Sequence, residues 1–268
     1  CLTCRNCEST CPSGVQYGNL VDIGRKWAEE NTPVRPIGER LTRWALKEGL
    51  TKPALFNSAM SLGRLVRPFM PSGMKRKIPL VKNKALDSQI NPYARPNAHH
   101  ARKMLILEGC VQPGMLPNIN SATARVLDAL KIQLLSAPSA TCCGALRYHL
   151  NDQVGGLDNA KQNIDAWWPM VESGVEAIIM TASGCGVMVK DYGHLLANDP
   201  AYAAKAKKIS ELTKDISEVM TNLQNELVAL IGADQKPGVV YHPPCTLQHG
   251  QQIRGKVEGL LSSLGIGV

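Results

Sequence analysis

Two rhythms of apolar residues divide this chain. Up to about residue 66 the spacing is helical: Leu20, Ile23 and Trp27 share one face of a helix predicted over 19–30, which Pro33 and Pro36 end. That face is expected to pack on the loop before it and keep water out. Shorter helices are predicted at 38–49 and 55–66, with Leu41, Trp44, Ala45, Leu62 and Leu65 as apolar contacts. Little periodicity runs from Pro68 to Pro96. From residue 102 strands and helices alternate. Strands are predicted at 103–107, 132–135, 176–182 and 238–242, and helices at about 118–130, 152–173, 186–197 and 200–231. Strands separated by helices predict a mostly parallel sheet covered by helices, an α/β fold.

Charge changes this picture only locally. The formal charge is +8, but residues 33–104 hold fifteen Lys and Arg against three Asp and Glu, and the remainder is net acidic. The basic character belongs to one Pro-containing segment. It reads either as a solvated linker or as a contact face for a partner subunit or an anionic membrane surface. Aromatics are 4% of the chain and no nucleic-acid motif is present, so nucleic acid is not an expected partner. The densest apolar run, Ala177–Met180, is strand-sized rather than membrane-spanning.

Cysteine spacing carries the chemistry. The first twelve residues read Cys1-Leu-Thr-Cys4-Arg-Asn-Cys7-Glu-Ser-Thr-Cys11-Pro12, which is C-x2-C-x2-C-x3-C-P, the bacterial ferredoxin run for a [4Fe–4S] cluster. A cysteine at every third position lets one loop turn three thiolates onto one cluster. Cys1, Cys4 and Cys7 are therefore expected to share a cluster, and Cys11 to serve a second. No matching upstream run is present, and the chain is read as a fragment. Structural zinc prefers two Cys pairs separated by a longer loop, and a disulfide framework needs an oxidising compartment.

The α/β segment adds five more thiols. Cys110, Cys142, Cys143, Cys185 and Cys245 each lie near the C-terminus of a predicted strand, and in a parallel sheet those ends share one edge where sites form. They are expected to be close in space, as ligands for iron–sulfur or zinc. Gly109, Gly144 and Gly186 beside them are expected to admit a bulky centre. His149, His242 and His249 lie nearby as ligands or tuning groups of lower rank. The chain also repeats. Met104 through Cys110 to Ile132 matches Val239 through Cys245 to Ile266, offset by 135 at the cysteines and 134 at the isoleucines. A second Cys-Cys-Gly is due near position 277, so the chain is read as truncated at that end too.

Cys110-x31-Cys142-Cys143-Gly144-x40-Cys185 resembles the cysteine-rich CCG domain of heterodisulfide reductase-like proteins. With Leu107-Glu-Gly-Cys110, Asn163-Ile-Asp-Ala-Trp-Trp168, Thr181-Ala-Ser-Gly-Cys185 and Cys245-Thr-Leu-Gln-His249, nearly the whole chain resembles the iron–sulfur subunits of glycolate oxidases. The resemblance implies the end of a ferredoxin-type 2×[4Fe–4S] domain (1–30), a basic linker (31–101), a CCG domain (102–236) and the start of a second CCG repeat (237–268). It implies an electron relay in a cytoplasmic complex, peripheral on the inner face of the membrane. A flavoprotein partner carrying FAD would oxidise glycolate to glyoxylate, and electrons would leave to a quinone or other acceptor. A lactate, glycerol-3-phosphate or heterodisulfide system is the related alternative, and a zinc-stabilised interaction module the alternative of another class. The chain departs from the CCG pattern at one place. Cys185 is followed by Gly186-Val187-Met188, without the second thiol of the usual Cys-x-x-Cys, so a cubane cluster, another metal or a redox disulfide all remain open there.

Overall fold

The computed structural model describes residues 3–76, 78–79 and 93–268. Cys1 and residues 80–92 of the basic stretch lie outside the described residues. The elements, in chain order, are α1 (Asn6–Thr10), α2 (Tyr17–Asn31), α3 (Ile37–Leu50), α4 (Pro53–Val66), α5 (Ser72–Lys75), β1 (Arg102–Ile106), α6 (Gln112–Met115), α7 (Asn118–Ala129) and β2 (Ile132–Ser136). They continue with α8 (Ala145–His149), α9 (Gln153–Glu172), β3 (Ile178–Met180), α10 (Ser183–Lys190), α11 (Tyr192–Leu195), α12 (Ala203–Leu212), β4 (Thr213–Asp215), α13 (Ile216–Asn222), α14 (Gln224–Ile231) and α15 (Lys256–Ser263). The expected α/β architecture is present, with parallel strands covered by helices.

Two compact units divide these elements. One unit, Val34–Gly174, pairs β1 with β2 in parallel, Arg102 opposite Ile132 and Ile106 opposite Ser136. Met104, Leu105 and Ile106 are buried, as are Leu127 of α7 and Ile164 and Trp167 of α9. Ala160, Ile164 and Trp167 recur at helical spacing, which is why α9 buries one stripe. The helices of the basic stretch belong to this unit. Arg43 of α3 donates to the Leu150 carbonyl, and Glu48 pairs with Arg147 of α8.

The other unit, Cys1–Pro33 with Val175–Val268, pairs β3 with β4, Ile178 opposite Thr213. Strand β4 was not expected, because 200–231 reads as one long helix. The break has a local cause. Asp215 caps α13, accepting from the Ser217 N–H at 3.0 Å, while the Glu218 side chain accepts from the Asp215 N–H at 2.8 Å. This capping box satisfies two donors that would otherwise be orphaned, and starts a new helix.

The strand expected at 238–242 does not form. Instead Lys236 bridges Ile266 in parallel, with Lys236 N–H donating to Gly265 O and Val239 N–H to Gly267 O, each at 2.8 Å. Lys236 and Ile266 lie 134 residues beyond Arg102 and Ile132, so the internal repeat seen in the sequence is also a repeat of strand register.

Helix α2 is a second correction. Leu20, Ile23 and Trp27 are 54%, 65% and 64% exposed. The helix meets α1 through its other face, where Gly18 N–H donates to the Glu8 carboxylate and Asp22 is buried. Amphipathic spacing identified the helix correctly, but the apolar stripe is not the face that covers the cysteine loop.

Candidate metal and cluster sites

The N-terminal loop is shaped by left-handed backbone. Thr3 and Arg5 take φ values of 55° and 60°, and Gly14 takes 65°. Such residues turn the chain tightly, at a cost of about 1–2 kcal/mol for each non-glycine. Cys4 and Cys11 are half-buried and Cys7, on α1, is exposed. Around Cys11 the chain folds into a cradle of donors. The N–H groups of Val15 and Ser13, the Tyr17 hydroxyl and the Gly14 N–H point at its sulfur and hold the thiol below its ordinary range. The negative sulfur in turn raises the Tyr17 hydroxyl. Donors aimed at a sulfur favour its ionised form, which is the form that ligates a metal. The donor set present fits iron–sulfur ligation.

The loop is anchored on both sides of Cys7. The Arg5 guanidinium pairs with Asp191 at the end of α10, and its positive form is favoured there although burial opposes it. Ser9 Oγ lies 3.1 Å from His249 Nδ1.

In the Val34–Gly174 unit the loops after β1 and β2 bring Cys110 to Cys142 and Cys143. The Cys110 and then the Cys143 thiol hydrogen-bond to the Cys142 sulfur, with the Gly144 N–H and the Arg147 charge adding to them. Together these hold Cys142 far below the usual thiol range although it is buried. Two side chains that the sequence offers only as members of quoted motifs, with no role assigned, hold this arrangement. Asn163, 0% exposed on α9, accepts from Thr141 N–H at 2.7 Å and donates to Cys142 O at 2.9 Å, stapling the Cys-Cys turn to the helix. Its signal in the sequence is a polar residue on the apolar stripe of Ala160, Ile164 and Trp167. Glu108, two residues before Cys110, takes a bidentate ion pair from Arg95 at 2.6 and 2.7 Å, plus bonds from Ser136 and Asn120. Burial opposes its charge, and these donors outweigh burial and hold the carboxyl below its ordinary range.

The glycine of Cys-Cys-Gly serves the chain's own packing. Gly144 has φ 88°, and a Cβ there would lie 2.4 Å from the Gly156 carbonyl oxygen of α9. Gly186 is similar, since a Cβ would meet Gln251 at 2.6 Å. Gly109 takes φ 82°, a left-handed turn before Cys110.

Cys185 and Cys245 lie in the other unit, at the start of α10 and just before a five-residue π-turn, Thr246–Gly250. Their elements are joined: Ser183 Oγ is 2.7 Å from Thr246 Oγ1, and Gln251 Nε2 donates to Ser183 O and to the Asp215 carboxylate, each at 3.1 Å. Met188, where a second CCG thiol would stand, is buried in the core. His242 is exposed. Among the described residues no three His, Cys, Asp or Glu side chains are gathered tightly enough to hold a metal ion unaided. Cys110, Cys142 and Cys143 are brought together in one unit, and in the other the elements that carry Cys185 and Cys245 are joined.

Residues 104–190 match the family described as CCG, cysteine-rich domain. Across the whole chain, the similarity is to iron–sulfur subunits. The chain is 49% identical over 265 residues to the glycolate oxidase iron-sulfur subunit of Escherichia coli (strain K12), covering 99% of this chain and 62% of that protein. It is 31% identical over 283 residues to the probable glycolate oxidase iron-sulfur subunit of Bacillus subtilis (strain 168), covering 98% and 62%. Lactate utilization protein A of Bacillus pumilus (strain SAFR-032) is 25% identical over 162 residues, covering 60% of this chain and 65% of that protein. The chain thus spans 62% of the length of the two glycolate oxidase relatives. No solved structure gives a significant match. The resemblance drawn from the cysteine spacing is borne out.

Proposed function

We propose that this chain is part of the iron–sulfur subunit of a glycolate oxidase-type complex, carrying electrons from a flavoprotein partner that oxidises glycolate to glyoxylate. The observation that carries the reading is the Cys11 cradle, a sulfur reached by three backbone N–H groups and a tyrosine hydroxyl inside a C-x2-C-x2-C-x3-C-P run. The bound clusters would supply one-electron carriers that a thiol-only site lacks.

The chain's own residues have separable tasks in this reading. Cys4 and Cys7, with Cys1, would hold one [4Fe–4S] cluster, and Cys11 would ligate a second. Cys110, Cys142 and Cys143 in one unit, and Cys185 and Cys245 in the other, are the thiolates we assign to a further cluster or metal. Tyr17 and the 13–15 amides neutralise sulfur charge at Cys11. Asn163 and Glu108 hold the loops that present Cys142 and Cys110. FAD belongs to the partner, and electrons leave to a quinone or other acceptor.

A partner or a membrane face has a surface to meet. Ile37, Leu41 and Trp44 of α3 and Leu55 and Leu62 of α4 are exposed, as are Leu65 and Phe69. Arg43 and Glu48 of the same helix make its contacts to the rest of the unit. Among the described residues no helix is long and apolar enough to cross a membrane. A peripheral position on the inner face of the cytoplasmic membrane is the localisation we assign.

Anaerobic purification of the full-length protein tests the reading. It should give a brown protein with iron and acid-labile sulfide, and co-purified flavoprotein should reduce the clusters with glycolate. Protein holding zinc and no iron would sink it. The similarity to Lactate utilization protein A supports a second reading, a lactate system, and reduction by lactate in place of glycolate would select it.

A further inference from the structure

His249 is the residue through which the turn after Cys245 meets the ferredoxin-type loop. Its Nδ1 faces two groups, Ser9 Oγ at 3.1 Å and Arg254 Nη2 at 3.3 Å. A guanidinium can only donate, so Nδ1 is the acceptor and the ring proton sits on Nε2. That turns the Ser9 hydroxyl towards the ring, although Asn6 O lies within reach at 3.0 Å.

The place of this contact is informative. His249 lies in the π-turn Thr246–Gly250, closed by Gln251 N–H donating to Thr246 O at 3.0 Å. Single π-turns are costly in backbone geometry and concentrate at functional positions. The turn is pressed onto α10, since a Cβ at Gly250 would lie 2.6 Å from Val187. Helix α10 starts beside Cys185 and ends at Asp191, which holds Arg5. Arg5 and Ser9 flank Cys7 symmetrically, two residues on either side. The loop is thus seated at two points on the pair of elements that carry Cys185 and Cys245, all within one compact unit.

We propose that His249 is a positioning residue for the Cys7 side of the ferredoxin-type loop: through Ser9 it seats the loop on the Cys245 turn and so sets the potential and retention of the cluster there. This rests on the iron–sulfur reading of Cys4 and Cys7 given above. Groups of this kind, one bond removed from a ligand, typically change metal affinity by about 10–100-fold when removed.

The test uses full-length protein with His249→Ala, His249→Asn, Ser9→Ala and the Ser9→Ala/His249→Ala pair. Asn places an amide oxygen where Nδ1 sits, so it keeps the acceptor without the ring. His249→Ala is expected to shift the midpoint potential of one cluster signal in an electron paramagnetic resonance titration. It should also lower the chelator concentration that strips half the iron by about 10–100-fold. Ser9→Ala should match it, the double variant should add nothing, and His249→Asn should restore wild-type values. Wild-type potential and iron retention in His249→Ala overturn the proposal, as does an Asn variant that behaves like Ala. The rate of Cys7 alkylation in apoprotein provides a readout independent of any cluster. Faster alkylation in His249→Ala, reversed in His249→Asn, supports the seating, and an unchanged rate overturns it. Wild-type protein that never binds iron would overturn the iron–sulfur reading while the alkylation comparison still decides the role of His249.

Discussion

Arg5 and Asp191 form an ion pair between the N-terminal cysteine loop and the C-terminal cap of α10. Arg5 adopts left-handed backbone at φ 60°, so the loop accepts strain at the residue whose side chain anchors it. The pair is partly buried, with side-chain exposures of 14% and 25%. Asp191→Asn should therefore cost more than a surface pair does, about 1–3 kcal/mol, because the guanidinium loses a charged acceptor. Arg5→Gly should cost less than Arg5→Ala, since glycine relieves the left-handed strain while losing the same pair. Urea unfolding midpoints of the three variants give that order.

The Cys142–Cys143 turn depends on Asn163 and Gly144. Asn163→Leu keeps the volume of the stripe but leaves the Thr141 N–H and the Cys142 carbonyl without their side-chain partner, at about 2–4 kcal/mol. Gly144→Ala should be at least as severe, about 3 kcal/mol or more, because strain at φ 88° adds to a clash with backbone that cannot step aside. Thermal unfolding of apoprotein reads both, and Ala160→Gly on the same helix, which gives up helix propensity and one buried methyl, serves as a milder control at about 2 kcal/mol.

How much of this was legible in the sequence depended on the range of the interaction. The register repeat was legible, because Arg102–Ile132 and Lys236–Ile266 repeat a strand–cysteine–helix pattern whose spacing survives in the letters. Cysteine spacing at Cys4, Cys7 and Cys11 was legible because the loop is local. Strand β4 was missed although its signal, the Asp215–Glu218 capping box, was present, because apolar residues on both sides continue a helical rhythm. The exposed stripe Leu20, Ile23 and Trp27 shows the limit of periodicity. It reports that a helix has an apolar face, but what covers that face is a tertiary fact. Asn163 and the Gly144–Gly156 contact are tertiary facts of the same kind, visible only once α9 lies against the cysteine turn.

Glu48 gives a pH dependence with a defined sign. Hydrogen bonds from Lys52 and then Arg147 hold its carboxyl below the ordinary value of 4.5. A carboxyl depressed in the folded state stabilises at pH above its unfolded value and loses that contribution as pH falls through the folded value. The stability gap between wild type and Glu48→Gln should thus be full near neutral pH and should close below about pH 4.5. It should be small, under about 1 kcal/mol, since the carboxyl is partly open to solvent that screens the pair. Chemical unfolding of apoprotein at several pH values measures it, and a gap that widened on acidification would contradict the pairing with Arg147.

Tyr17 gives a prediction for the cluster we assign to Cys11. Its hydroxyl donates to the Cys11 sulfur beside the N–H groups of Val15, Ser13 and Gly14. Reduction adds negative charge to a cluster, and each hydrogen bond to a ligating sulfur stabilises that charge, so losing one lowers the potential. Tyr17→Phe removes the hydroxyl and keeps the ring, and the backbone cradle stays in place. The potential of the cluster assigned to Cys11 should fall, while that of the cluster assigned to Cys4 and Cys7 changes less. In the same variant the far-ultraviolet circular dichroism should match wild type, which separates a lost hydrogen bond from a lost fold. Redox titration followed by electron paramagnetic resonance distinguishes the two clusters. Equal shifts in both signals would place the hydroxyl's effect outside Cys11, and a rise in potential would contradict donation to the sulfur altogether.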